Sequence, residues 1–192
     1  MPVLIQDERF SVVEDAIHGA FLSLLKEKSV NKITVSDVVK RAGIVRSTFY
    51  NHYENVPGLV KALEDQTIND IFSLMESFHP RDDKELCRSF FRAICNYTMT
   101  NPFLAELLRS PRGDAFFEKA MTMFHRYVTS VTSNSPLTYY SREQFSYTIA
   151  ASIGSTIGIL HKWSCDNFTA SMDTIIDLLT RIFMTGMLPL IR

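Results

Sequence analysis

Residues 32–63 read KITVSDVVKRAGIVRSTFYNHYENVPGLVKAL, and their spacing decides how the rest of the chain is read. Thr34, followed three residues later by Asp37, has the form of a capping box, with the carboxylate at the positive end of the helix it opens. Val35, Val38 and Val39 fall on one face and predict the buried side of a short helix. Gly43 stands where the chain must turn, because it takes a positive φ without steric cost. A second short helix is expected over about Val45 to Tyr53, carrying Arg46, Ser47, Thr48, Tyr50, Asn51 and His52. Side chains of these types contact phosphates and base edges, so the stretch predicts a helix-turn-helix that reads double-stranded DNA. With Asn55 as a cap and Pro57 in a first turn that needs no amide donor, another helix begins at Val56.

The run T-V-S-D-V-V-x-x-A-G-I-x-x-S-T-F-Y-N-H-Y, from Thr34 to Tyr53, resembles the DNA-binding signature of the TetR family of bacterial transcriptional regulators. That resemblance implies an all-α protein, a helix-turn-helix domain over 1–55 and an effector-binding and dimerisation domain over 56–192. It further implies a homodimer on a palindromic operator in the cytoplasm, with Thr34, Arg46, Ser47, Thr48, Tyr50, Asn51 and His52 toward the DNA. Of these, Arg46 and Asn51 are expected nearest the base edges and Ser47, Thr48, Tyr50 and His52 nearest the phosphates. Two positions depart from the family pattern. Val45 stands where many members cap the reading helix with a small or hydroxyl residue, and Val56 where many open the next helix with a lysine. A phosphate contact at the start of that next helix is therefore expected to be missing.

The 192 residues are 46% hydrophobic with 7 Gly and 7 Pro, a composition that excludes a disordered chain. A net charge of -1 becomes informative only when divided along the sequence. Residues 26–53 hold Lys26, Lys28, Lys32, Lys40, Arg41 and Arg46 against Glu27 and Asp37, net +4, whereas residues 1–25 are net -3. The positive charge thus gathers on the expected reader. Cys87, Cys95 and Cys165, odd in number and without framework spacing, read as reduced thiols. No signal peptide is expected at MPVLIQDERF, and the longest apolar run, Ile149 to Leu160, is broken by Ser152, Ser155 and Thr156, so no membrane span is expected either.

Helical periodicity predicts about nine helices and no strand. The first runs from about Arg9 to Glu27, and the one opening at Val56 runs to about Phe78, ending near His79-Pro80. Asn101-Pro102 and Ser110-Pro111 each pair a cap with a proline and mark helix starts, Asn134-Ser135-Pro136 opens a loop, and Ser141 with Gln144 forms a capping box. The last helix is expected from about Thr169 to Met187. Gly154 and Gly158, four apart inside a helix, suggest close approach of another helix. The broad apolar face of the last helix, including Ile175, Leu179, Ile182 and Phe183, points the same way, and in the TetR family the last two helices pair with their copies.

Enzyme signals are poor. Gly154-Ser155-Thr156-Ile157-Gly158 has a threonine where a nucleophile elbow needs its serine, and the context is helical. The five histidines are scattered, and no metal site, phosphate loop or cofactor is expected. The aromatic-rich middle of the chain reads mainly as core, with some residues expected to line an effector cavity. The expected lining residues are Tyr97, Phe103, Phe117, Met121, Phe124, Tyr127, Tyr147, His161 and Trp163. In the family, a small molecule bound in this region moves the two readers apart. The segment ILHKWSCDNF, Ile159 to Phe168, also resembles a TetR subgroup that includes a regulator of dihydroxyacetone kinase genes. That likeness implies a protein co-activator as the alternative to a free small-molecule effector.

Overall fold

The computed structural model describes residues 2–78, 83–109, 113–132 and 142–187. Among them it forms nine α-helices and divides into two compact units, Met1–Gln66 and Thr67–Arg192. In the first unit, α1 (Pro2–Leu25) leads through a 3-10 turn at Val30–Lys32 into α2 (Val35–Ala42), α3 (Arg46–His52) and the start of α4 (Val56–Phe78). α1 therefore begins well before the Arg9 expected from periodicity. Its Ile17, Phe21 and Leu24 join Val38 and Val39 of α2, Phe49 of α3, and Leu59, Val60 and Leu63 of α4 as buried core. Each large side chain so buried contributes about 1.5–3 kcal/mol, enough to hold helices as short as α2 and α3 that would not persist alone. Val35 is only half-buried, at the edge of this core.

The second unit holds the rest of α4 with α5 (Lys84–Thr100), α6 (Pro102–Arg109), α7 (Gly113–Thr132), α8 (Arg142–Cys165) and α9 (Met172–Ile182). α5 packs along α9, while α8 is flanked by α6 and α7. Asn101 opens α6 as expected, its side-chain oxygen accepting from the Phe103 and Leu104 amides at 3.0 and 3.1 Å. α9 starts later than the sequence suggests, capped by Ser171, whose hydroxyl accepts from Thr174 N at 3.2 Å. The delay comes from Asn167 and Phe168, both left-handed with φ of 53° and 58°. α9 ends at Ile182 and passes into a π turn over Phe183–Met187. The features expected at His79-Pro80, Ser110-Pro111, Asn134-Ser135-Pro136 and Ser141 lie outside the described residues.

Candidate functional site

Both ends of α2 are built locally, as the sequence specifies. Thr34 N donates to Asp37 Oδ2 at 2.8 Å and Asp37 N donates back to Thr34 Oγ1 at 3.3 Å, closing the capping box. Lys28 Nζ, 2.7 Å from the same Oδ2, is the main cause that holds the Asp37 carboxyl far below its usual range, with Thr34 adding to it. The Thr34 hydroxyl also donates to Asp37 Oδ2 at 2.7 Å, so this residue, expected at DNA, spends its proton inside the cap. Gly43 ends α2 at φ +69°. The N-cap position of α3 is Val45, which is 65% exposed and makes no side-chain cap bond.

The residues expected to read DNA form one outward face. Arg46, Ser47, Tyr50 and Asn51 are exposed and Thr48 is half-buried, while Phe49 points into the core. Arg46 donates to Ser36 Oγ on α2, which tethers the guanidinium at the surface. His52 is placed differently from the others: its ring stacks on Phe10 of α1 with centroids 3.9 Å apart, and its buried Nδ1 has no hydrogen-bond partner among the described residues. Not all the basic charge is available either, since Arg41 forks onto both oxygens of Glu27 at 2.9 Å and Lys28 is held by Asp37. Lys26, Lys32 and Lys40 remain exposed.

Sequence reasoning missed the group that anchors the far end of α3. The Tyr53 hydroxyl donates to Glu14 Oε1 at 2.6 Å and lies 2.7 Å from His18 Nε2. Because the phenol's one proton is committed to Glu14, His18 must be the donor in the second bond, which fixes its Nε2–H tautomer. Burial, opposed by Glu14 and Asp15, lowers the His18 pKa, and burial together with the Glu14 bond raises that of Tyr53. The three residues stand 35 and 39 positions apart in pairs, so no local pattern announces them.

In the second unit a cavity of about 110 Å³ is lined by α4 to α8 and the turn after α9, with Met75, Phe91, Ile94, Leu104, Phe116, Ile153 and Leu160 in its wall. Tyr97 and Phe124, both expected there, line it. The other expected residues fall elsewhere. Phe103 is buried in the core, and Phe117 and Met121 pack against the cluster of Ile149 and Ile153. Tyr147 is 70% exposed, and the Tyr127 side chain lies outside the described residues. His161 is exposed, with Nδ1 turned to the Leu108 carbonyl. Trp163 is a structural anchor whose Nε1 donates to Ala170 O at 2.9 Å and whose ring meets Phe168 edge-on at 5.0 Å. The wall residues that the sequence did not single out, such as Ile94, Leu104 and Ile153, are ordinary helix-face aliphatics with no distinguishing signal.

The expected pairing face splits in two. Among the described residues a Cβ built on Gly154 or Gly158 meets no atom within 4 Å, so no packing there requires a glycine at either position. Gly158 instead lines an open groove with Ile159 of α8 and Leu178 and Ile182 of α9, and Leu178 is 43% exposed. Leu179 and Phe183, expected on this face, are turned into the unit's own core, where Phe183 meets Phe91 at 6.0 Å. Ile175 is likewise buried, at the floor of the groove. α9 is apolar around enough of its circumference to serve α5 on one side and leave Leu178 and Ile182 on another.

Cys87 and Cys95 are free and buried, and burial pushes the Cys95 thiol up to about 12, the opposite of a reactive thiolate. Cys165 is exposed and sits 3.8 Å from the His161 ring, one turn away on α8, a pairing the scattered-histidine reading overlooked. Among the described residues no group of three or more His, Cys, Asp or Glu could hold a metal ion, and no helix is long and apolar enough to cross a membrane.

The arrangement of helices has clear counterparts among solved structures. The fatty acid degradation regulator FadR from Bacillus halodurans superposes with a TM-score of 0.70 at 14% identity, covering 92% of this chain and 96% of that one. The chain has the TetR-family fold. A TetR transcriptional regulator from Streptococcus agalactiae 2603V shares that fold with a TM-score of 0.62 at 22% identity, over 93% of this chain and 97% of its own. The dihydroxyacetone kinase operon activator DhaS shares it too, with a TM-score of 0.67 at 17% identity, covering 92% of this chain and 96% of that one. No family model matches the sequence. The uncharacterized HTH-type transcriptional regulator YxbF of Bacillus subtilis (strain 168) is 35% identical over 66 residues, which are 34% of this chain and 17% of that protein. The match thus spans about a sixth of the length of this curated relative.

Proposed function

We propose that the chain is a homodimeric, sequence-specific DNA-binding regulator of transcription, a repressor released by an effector, and not an enzyme. The observation that carries this reading is the exposed face of Arg46, Ser47, Tyr50 and Asn51 on a helix fixed at both ends, by the Gly43 turn and by the Tyr53 anchor. Fixed polar side chains on one short helix suit the major groove, where donors and acceptors distinguish the base pairs. The open groove at Gly158, Leu178 and Ile182 supports pairing of α8 and α9 with a second copy, which would present two readers to two half-sites. The cavity gives an effector a place to bind one conformation better than another, and a population shift follows from that difference. Binding to genomic DNA fragments at two salt concentrations tests the proposal. A sequence-preferring component should persist at the higher salt, while the nonspecific part weakens as counterions are released.

A second reading is favoured by Val45, which leaves α3 without a side-chain cap, and by Val56, which offers the backbone no cation. In it the chain is a protein-interaction module or co-activator-dependent activator with weak DNA binding. The likeness to an operon activator of dihydroxyacetone kinase supports it at the level of fold. Under this reading the same titration yields sequence preference only when a protein partner is added.

A further inference from the structure

The wall of the cavity in the second unit says what kind of molecule it can take. No charged residue lines it among the described residues, and its hydroxyl groups are largely committed. Thr98 Oγ1 donates to Ile94 O at 2.9 Å and Thr156 Oγ1 to Ser152 O at 3.0 Å, both within their own helices. Tyr97 donates its proton to Asp70 Oδ2 at 2.7 Å and accepts from Asn101 Nδ2 at 2.8 Å. A hydroxyl whose proton is spent offers a ligand only lone pairs, and behind Tyr97 stands a carboxylate. The nearby guanidinium groups are engaged elsewhere: Arg88 with Asp177, Arg92 with Asp173, and Arg109 with Ser164 O and the Phe168 ring.

We infer that the effector of this cavity is a small uncharged lipophile. The inference rests on the effector-binding reading and adds the ligand class to it. An anion placed here loses its hydration, finds no proton to accept and has the Asp70 carboxylate behind Tyr97 as its nearest charge on that side, a combination whose cost far exceeds the gain from burying a short chain. Size limits the ligand as well, since about 110 Å³ is of the same order as the roughly 150 Å³ of a dry engineered cavity that holds benzene. A ring or a short hydrocarbon chain fits that space.

The test is a matched set of probes, hexanol, hexylamine and hexanoate, titrated calorimetrically into the full chain at pH 8. Hexanol should bind at least about tenfold more tightly than hexylamine, which is an ammonium ion at this pH with no charged wall residue to pair it, and at least about tenfold more tightly than hexanoate. Asp70→Asn, which removes the negative charge behind Tyr97, should narrow the gap to hexanoate. Ala120→Leu, which fills the cavity from α7, should abolish hexanol binding. If that variant does not fold, Ser152→Leu fills the same space from α8. Hexanoate or hexylamine binding as tightly as hexanol would overturn this inference and leave the effector-binding reading standing. Binding of none of the three would remove the effector-binding reading and this inference with it.

Discussion

Replacing Tyr53 by Phe deletes one oxygen and leaves two polar partners without their mate. In the intact chain that hydroxyl donates to Glu14 at 2.6 Å and accepts from His18 at 2.7 Å, on a residue that is 8% exposed. A hydrogen bond to an ionised group contributes about 1.5–3 kcal/mol, and an orphaned buried donor or acceptor costs about 1–3 kcal/mol. Glu14 and His18 are half-buried, so water can return to part of each, and the expected loss settles at about 1–2 kcal/mol. A chain of this length shifts its melting point by about 2–4 °C per kcal/mol, which gives a drop of roughly 2–8 °C. Thermal melts by circular dichroism and urea titrations measure it, the latter as a lower midpoint at unchanged slope. The double variant with His18→Gln should cost less than the two single losses together, because both act on one network. DNA affinity should fall alongside, since Tyr53 fixes the end of α3. A change within about 0.5 kcal/mol, with DNA affinity intact, would show that water serves these partners as well as the phenol does.

The same network makes stability depend on pH. The folded pKa of His18 lies below its ordinary 6.5, so between the two values the unfolded chain holds more protons. Unfolding free energy from urea titrations should therefore rise with pH through that window and be lost as pH falls from 6.5, and His18→Gln should flatten the slope. Gly43→Ala should cost about 1–2 kcal/mol in the same titrations, because nothing lies within 4 Å of the added Cβ and the penalty is that of φ +69° alone. Gly158→Leu meets open space within the chain, so its far-UV circular dichroism should match the parent while sedimentation at micromolar concentration shows a monomer. A dimer that survives that substitution would place the pairing surface elsewhere.

What the sequence disclosed was what neighbouring residues decide between themselves. The Thr34–Asp37 box, the Gly43 turn, Asn101 ahead of Pro102 and the uncapped Val45 all rest on contacts within a few positions, and the structure has each of them. The late start of α9 escaped because Phe168 is not a turn residue. Its left-handed conformation accompanies tertiary packing of the ring against Trp163 and the Arg109 guanidinium. Periodicity shows that an aromatic lies on a helix face, but not which neighbouring helix that face meets. Tyr97 and Phe124 therefore fell on the cavity while Phe103 and Trp163 went to solid core. For the same reason the apolar face of α9 revealed its breadth without revealing that Leu179 and Phe183 belong to α5's side and Leu178 to the open one. The Glu14–Tyr53–His18 network is wholly tertiary and left no trace in spacing.

Selection of bound sequences from a random duplex pool, at about physiological salt, tests the central claim most directly. A dimer presenting two α3 helices should enrich an inverted repeat whose half-sites lie about one helical turn apart, and Arg46→Ala should relax preference at one base of each half-site at a cost of about 1–3 kcal/mol. A pool that returns unenriched, or an Arg46→Ala loss equal on selected and random DNA, would contradict the account.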